Sequence, residues 1–271
     1  MSWRAIKGRC DSSDTRTVLS HLLQICGIVI TRPSYHGVGC SSSVLRSVVD
    51  LCHQFSAPVI VDEAHGAHIH LLDSPSFGNA LQCGADIVIQ SSHKTLTSLS
   101  QTAMMHLNRC AFKYFSEGSI ERATQVLDRS YSMLTTTSPN SLLLASLDGA
   151  RAHIQESGKT SMINALQAVG DIKDLCRNHP TKVAILEDSK VLADLGLHVD
   201  PLRLTLRFMM SNNQHLDDIL CSEHGIFCEL NLKSCISYHI SLFSTKATLK
   251  ALAAALKDVC DNWCYDQGAI D

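Results

Sequence analysis

Two short apolar segments that each end in polar residues constrain the fold of this chain more than any other feature. The first covers residues 58–61 and continues into Asp62-Glu63-Ala64-His65-Gly66-Ala67-His68, and the second covers 87–90 and continues into Ser91-Ser92-His93-Lys94. About one strand-helix-strand crossover separates them. Parallel strands joined in this way present their carboxyl ends at one edge of a sheet, where ligands of open α/β folds bind. Asp62 and Lys94 are therefore expected to face one crevice.

A lysine and a carboxylate at one sheet edge suit pyridoxal phosphate. This cofactor needs a lysine to hold its aldehyde as a Schiff base and a carboxylate to keep its ring nitrogen protonated. Lys94 is the candidate for the first role, since a partly desolvated amine near other cations is readily neutral. Asp62 is the candidate for the second, because a protonated ring stabilises a developing carbanion.

Up to about residue 110 the pattern alternates strands with helices, which indicates a mostly parallel sheet covered by helices. Apolar runs predict strands at 26–31, 58–62, 86–90 and 102–107. Helices are predicted at 41–52, capped within Ser41 to Ser43, and at 74–83, closed by Gly84.

From about Ala111 the pattern becomes helical, with Ser138-Pro139 expected as the cap and first turn of one helix and a further helix at 160–176. After His179-Pro180 the pattern changes again, to strands at 182–186, 202–208 and 226–242 and helices at 216–224 and 246–259. We expect a partial large α/β domain over residues 1–180 and a small α+β domain over 181–271.

Several longer blocks resemble the Orn/Lys/Arg decarboxylases, which have the aspartate-aminotransferase fold. The matching blocks lie at 32–38, 61–68, 84–96, 135–139 and 142–148. The resemblance covers nearly the whole chain and implies pyridoxal-phosphate-dependent decarboxylation of arginine, lysine or ornithine, which releases carbon dioxide and a polyamine precursor.

The resemblance also implies roles for single residues. Lys94, Asp62 and His93 are expected to be catalytic, with His93 beside the substrate. Ser91 is expected to bind the cofactor phosphate, Ala64 to lie under the ring, and His65 to contact the cofactor. In the family, a threonine of the 135–137 tract reaches the phosphate of the other subunit; here it is Thr136, which implies a homodimer or larger homo-oligomer.

The resemblance has two departures. The family has an aromatic residue after the threonine tract, where this chain has Pro139-Asn140-Ser141. Its glycine-rich phosphate turn and ring-stacking histidine precede the region matched here, so we expect an N-terminally truncated member with an uncovered apolar sheet face. The alternative function is accordingly a catalytically impaired homologue with a structural or interaction role.

The acid that would select a basic substrate stays open. Glu229, Asp200 and Glu63 could each face the cationic head group, and the sequence does not choose between them.

Two other interpretations of the first motif are weaker. Residues 62–65 also spell the DEAH of helicases, but the only phosphate-loop candidate, Ser157-Gly158-Lys159-Thr160, lies downstream in a helical pattern. His65, His68 and His70 could bind a metal only with suitable geometry and supporting contacts. No metal is predicted.

Composition narrows the class of protein. The formal net charge of −3 offers no basic field for nucleic acid, and no apolar run approaches the roughly 20 residues of a membrane span. The 12 cysteines are scattered without a C-x-x-C pair, which favours reduced thiols in an intracellular, cytoplasmic protein. A plastid or mitochondrial address is left open by the N-terminus.

Overall fold

The first sheet is formed by strands in the region where the sequence predicted strands alternating with helices. The computed structural model describes residues 26–110, 119–209, 213–232 and 234–262. Strands β1 (Ile28–Thr31), β3 (Val59–Asp62) and β4 (Ile87–Gln90) are parallel neighbours, and β5 (Met104–Leu107) pairs antiparallel with β4. The expected mostly parallel α/β sheet is confirmed.

Helix α1 (Ser42–Gln54) covers one face of this sheet. Its cap is Ser41, whose hydroxyl accepts from the Val44 N–H, and Leu45, Val49 and Cys52 form its buried stripe. That stripe packs on Val59, Val61 and Val88 of the strands. The opposite face carries exposed apolar side chains, among them Val29, Ile89 and Met105.

The predicted helix at 74–83 is wrong, because this segment forms bends and turns. Its backbone groups bond to distant side chains instead of to each other: the Gly78 N–H donates to Ser42 Oγ and the Ala80 N–H to Glu63 Oε1. Gly84 has a φ of +96°, the left-handed conformation expected of it, but it ends a turn.

Two long helices lead to the second part of the fold. They are α3 (Ser119–Leu134) and α4 (Ser141–Arg177), and a four-residue helix α2 (Ser92–Thr95) precedes them. The predicted Ser138 cap is wrong: Asn140 caps α4 by accepting from the Leu142 and Leu143 N–H groups. The helix predicted at 160–176 is the second half of α4. Gly158 lies within this helix, and a Cβ there would lie 3.3 Å from Leu71, so the glycine allows the helix to pack closely at this point.

The second sheet is antiparallel, in the order β6 (Val183–Ile185), β8 (Arg203–Phe208), β10 (Cys235–His239) and β9 (Leu230–Leu232). Its core contains the buried stripe of α4 from Met162 to Cys176 together with Leu204, Leu206 and Ile236 of the sheet. The other elements of this part are α5 (Lys190–Asp194), β7 (Leu197–Val199), α6 (Asn213–His224) and α7 (Lys246–Asn262). The predicted α+β content is confirmed, while the division at residue 180 stays a prediction.

A short strand pair connects the two parts of the fold, and the sequence did not predict it. Strand β2 (Val38–Cys40) pairs antiparallel with β7, so Gly39 lies opposite His198. Just before it, the Asp200 N–H donates to the Gly37 carbonyl. These bonds fix the start of β8 against the turn that follows β1.

The side chain of Arg32 ties the end of β1 to its surroundings. It is fully buried, donates to the Cys40 and Gly78 carbonyls, lies over the Phe77 ring and approaches Glu63 at 3.6 Å. These partners lie in three separate segments, at 40, at 77–78 and at 63.

Replacing Arg32 with Met should lower the free energy of unfolding by about 3 to 5 kcal/mol, because it breaks the buried ion pair with Glu63 and leaves the Cys40 and Gly78 carbonyls without their donor. The double variant Arg32→Met/Glu63→Gln should recover part of that loss. Urea unfolding followed by circular dichroism measures both. Arg46→Met, on the exposed side of α1, is the matched control and should change stability by no more than about 0.5 kcal/mol. If Arg32→Met and Arg46→Met lowered the free energy of unfolding equally, the proposed role of Arg32 would be contradicted.

Candidate active site

Asp62 and Lys94 lie at the same edge of the first sheet. Asp62 is the last residue of β3, and Ile89 of β4 is its partner in register. Lys94 follows β4 within α2 and is exposed. Asp62 is half-buried, and its Oδ1 accepts from the Ala64 N–H, which leaves Oδ2 as the oxygen that can turn toward a ligand.

His65 lies at the centre of the charged groups at this edge. Its Nε2 is 3.2 Å from Lys94 Nζ, and its Nδ1 accepts from Arg203 Nη2 at 2.8 Å. Burial, with Lys94 and Arg203 adding to it, lowers the pKa of His65 to about 4, against the opposing effects of Glu229 and Asp62. The ring is therefore neutral at neutral pH.

Tyr35, Arg203 and Glu229 complete the surroundings of His65. The Tyr35 ring meets the His65 ring edge-on, with 4.9 Å between centroids, and its hydroxyl donates to Glu229 Oε1 at 2.7 Å. That hydrogen bond is the main cause that raises the pKa of Tyr35. Arg203 is 1% exposed, and burial lowers its pKa although Asp200, Glu229 and Tyr35 oppose this.

Sequence reasoning missed the roles of Tyr35 and Arg203. Tyr35 belongs to a block that matched the family without a role, and Arg203 is a cation inside an apolar strand. The sequence held one signal for Arg203, the glycine at position 37. In the structure Gly37 has a φ of +82°. A Cβ there would lie 2.5 Å from Arg203 Cγ, so only glycine leaves room for the arginine.

The other two polar residues of the first motif point into the protein. Glu63 is fully buried; its Oε1 accepts from the Ala80 N–H, and its Oε2 accepts from Gln90 Nε2. Burial raises its pKa to about 7 in spite of these donors and Arg32. His68 is also buried and pairs with Asp200 at 3.0 Å.

These contacts separate the three acids considered for the substrate head group. Glu63 and Asp200 are buried and hold the fold, Asp200 by also accepting from the Leu202 N–H. Glu229 is exposed and is among the charges that act on His65. Only Glu229 of the three is therefore open to a ligand at this edge.

His93 and Ser91 lie beside Lys94. His93 is half-buried, and its Nδ1–H donates to the Thr102 carbonyl at 2.8 Å, which orients the ring. Ser91 is the residue before α2, and its half-buried hydroxyl makes no cap bond to that helix. Their proposed contacts with substrate and cofactor phosphate stay predictions.

Thr136 lies in the turn between α3 and α4, where it is exposed and its Oγ1 accepts from the Ser138 N–H. Its expected contact, with the other subunit, stays a prediction.

The contacts in the structure argue against the helicase and metal-site interpretations of the first motif. Residues 157–160 lie inside α4, so they form no loop that could cradle a phosphate. The three histidines of the metal interpretation bond separately, His65 to Arg203, His68 to Asp200 and His70 to the Ala67 carbonyl. Of the helices in the described ranges, none combines the length and apolar character that a membrane span needs.

Comparison with known proteins identifies the family. The family model described as Orn/Lys/Arg decarboxylase, major domain, matches residues 10–218. The chain is 34% identical to the uncharacterized protein YaaO of Bacillus subtilis over 208 residues, which are 75% of this chain and 39% of that protein. It is 39% identical to the arginine decarboxylase of the same bacterium over 150 residues, 55% of this chain and 27% of that enzyme.

The fold agrees with the family. The lysine decarboxylase LdcF of Francisella novicida superimposes with a TM-score of 0.66 at 18% identity, over 85% of this chain and 35% of that one. The chain belongs to the Orn/Lys/Arg decarboxylase family. It spans less than two fifths of the length of each of these three proteins.

Pyridoxal phosphate is the cofactor that this family and fold indicate, and the residues at the sheet edge fit it. Lys94 offers an exposed amine that an aldehyde can reach, and Asp62 offers a carboxylate oxygen for a ring nitrogen. Ala64, next to Asp62, has a side chain small enough for a flat ring to approach.

Proposed function

We propose that this chain is the cofactor-binding part of a decarboxylase that acts on a basic amino acid. The single observation that supports this most is the edge shared by Asp62, Lys94 and the neutral His65. Bound pyridoxal phosphate would supply an electron sink for the pair of electrons left when carbon dioxide departs. Lys94 would bind its aldehyde, Asp62 would hold a proton at its ring nitrogen, and His93 would lie beside the substrate.

The first test locates the cofactor on the chain. After incubation with pyridoxal phosphate and borohydride reduction, peptide mapping should place the pyridoxyl label on Lys94, and Lys94→Ala should abolish it. Carbon dioxide release from arginine, lysine and ornithine is then measured on the unmodified chain. Lys182→Ala is the control and should label normally. A label on another lysine contradicts the assignment, whereas a label on Lys94 without carbon dioxide release supports a catalytically impaired homologue.

Glu229 is proposed to receive the cationic head group of the substrate. Its carboxylate is exposed, it is oriented by Tyr35, and it lies within electrostatic reach of His65. A cavity of about 410 Å³ borders it and is also lined by His239, whose ring nitrogen Nε2 is buried without a partner in the described part of the chain. Room for a guanidinium or ammonium group therefore lies beside one acid.

Glu229→Gln should weaken binding of arginine to the cofactor-loaded chain roughly ten- to a hundredfold, because it removes the negative charge that strengthens the hydrogen bond to the guanidinium. Leucine, which lacks the head group, should bind equally to both proteins. Isothermal titration measures both, with Glu223→Gln on the exposed side of α6 as the control. Equal weakening for arginine and leucine would show that Glu229 does not recognise the head group.

The homodimer is proposed to form around the turn that carries Thr136. The end of α3 and the start of α4 on either side of this turn expose large apolar side chains, at Tyr131, Met133, Leu134, Leu142 and Leu144. Several large apolar side chains left exposed around one turn are typical of an interface between subunits. It would bring Thr136 to the neighbouring subunit, as the family resemblance implies.

The double variant Leu134→Glu/Leu142→Glu should therefore sediment as a monomer, since it places two charges on each side of a two-fold interface. Val191→Glu/Leu195→Glu carries the same charges at equally apolar exposed positions of the second part of the fold and should sediment like the unmodified protein. Sedimentation velocity measures the mass. Identical masses for the two variants would exclude this surface.

A further inference from the structure

A second cavity, of about 270 Å³, lies on the face of the first sheet opposite to Asp62. Asp62 shares its face with Ile89, its partner in register, whereas the next residue of β4, Gln90, points to the other face and lines the cavity. Neither Asp62 nor Lys94 lines it, so it is separate from the candidate active site. The first half of α4 closes it with Leu147, Ala150 and Ile154.

The hydrogen bonds of Gln90 leave one bare ring nitrogen on His106, which also lines this cavity. An amide nitrogen has donors and no acceptor, so Gln90 Nε2 donates to Glu63 Oε2 at 2.6 Å. Gln90 Oε1 is then the acceptor, and His106 Nε2–H donates to it at 3.1 Å. A neutral imidazole has a single N–H, so His106 Nδ1 keeps a lone pair for which the described residues supply no donor.

His70 lines the same cavity with the opposite tautomer. A carbonyl oxygen only accepts, so His70 Nδ1–H donates to the Ala67 carbonyl at 2.7 Å, and Nε2 keeps the lone pair. Burial is the main cause that lowers the pKa of each ring, so both are neutral at neutral pH. The cavity therefore has two hydrogen-bond acceptors, and each is fixed by the bond that its ring makes elsewhere.

The other groups of the lining restrict the charge of a ligand. Arg151 is the only charged residue among them, and Asp148 and Gln155 hold its guanidinium on the exposed side of α4. A cation would meet this guanidinium without a carboxylate in the lining to compensate it, and an anion would face two lone pairs. The walls are otherwise largely apolar, with Leu81 and Leu96 among them.

We propose that this cavity binds a small uncharged molecule that has an apolar body and two O–H or N–H donors. The donors would bond to His106 Nδ1 and His70 Nε2, and the body would pack against the leucines. An apolar cavity of about 150 Å³ holds one benzene ring, so this one has room for a ring with two polar substituents. The site goes beyond the proposed function, although a molecule bound there would contact α2 at Ser92, two residues before Lys94.

Two probes of nearly equal shape test the donors. Resorcinol has a six-membered ring with two hydroxyl donors, and 1,3-difluorobenzene has none. NMR titration of the full chain should show resorcinol binding with a Kd of about 1 mM. In His106→Phe, which keeps a flat ring but removes the acceptor, the ratio of resorcinol affinity to difluorobenzene affinity should fall about fivefold, the effect of one hydrogen bond. His70→Phe should lower the ratio equally and replaces the first variant if that one is unstable.

A second pair of variants tests the cavity itself. Ala150→Leu places a larger side chain inside it and should weaken both probes at least tenfold, whereas Ala152→Leu, exposed on the same helix, should bind them like the unmodified protein. Circular dichroism confirms that each variant is folded. Absence of resorcinol binding at about 20 mM in the unmodified protein would overturn the site, and so would an unchanged ratio in the folded histidine variants or unchanged binding in Ala150→Leu.

Discussion

The arrangement of the first sheet depends on the contacts that the buried guanidinium of Arg32 makes. It joins the end of β1 to β2, to the turns at 74–83 and to Glu63 at the end of β3. A charge without water must find its partners inside the protein, and here those partners come from segments far apart in sequence. Since Asp62 and Glu63 are consecutive at a strand end, fixing Glu63 inward directs Asp62 outward. The internal ion pair thus sets the direction of the functional acid.

The candidate site is arranged around one neutral ring among charges of both signs. Lys94 and Arg203 are its cations, and Asp62 and Glu229 its anions, while His65 bonds to both cations. Three of these five residues lie at or just after the ends of strands in the first sheet, and two lie in the second part of the fold. The pairing of β2 with β7 is therefore as necessary to the site as the strands that carry Asp62 and Lys94.

The sequence predicted the elements whose signals are local. The strands ending at Asp62 and before Lys94 are apolar runs with polar ends, and α1 has both a serine cap and a regular stripe. The segment at 74–83 was predicted wrongly because Ser42 and Glu63 bond to its backbone, and no local pattern reveals such distant partners. The sequence alone could not distinguish the roles of Glu63 and Glu229, because both are glutamates. Only burial separates the acid that holds the fold from the acid that faces a ligand.

The length of α4 has a mechanical consequence. Its second half is embedded in the core of the second sheet, whereas its first two turns, beside Thr136, are exposed. A tilt of about 5° in that core would displace the first turn by roughly 3 Å, at about 1.5 Å of rise per residue over some twenty residues. A displacement of this size separates a hydrogen-bond donor from its acceptor. Substitutions in that core can thus change the position of Thr136.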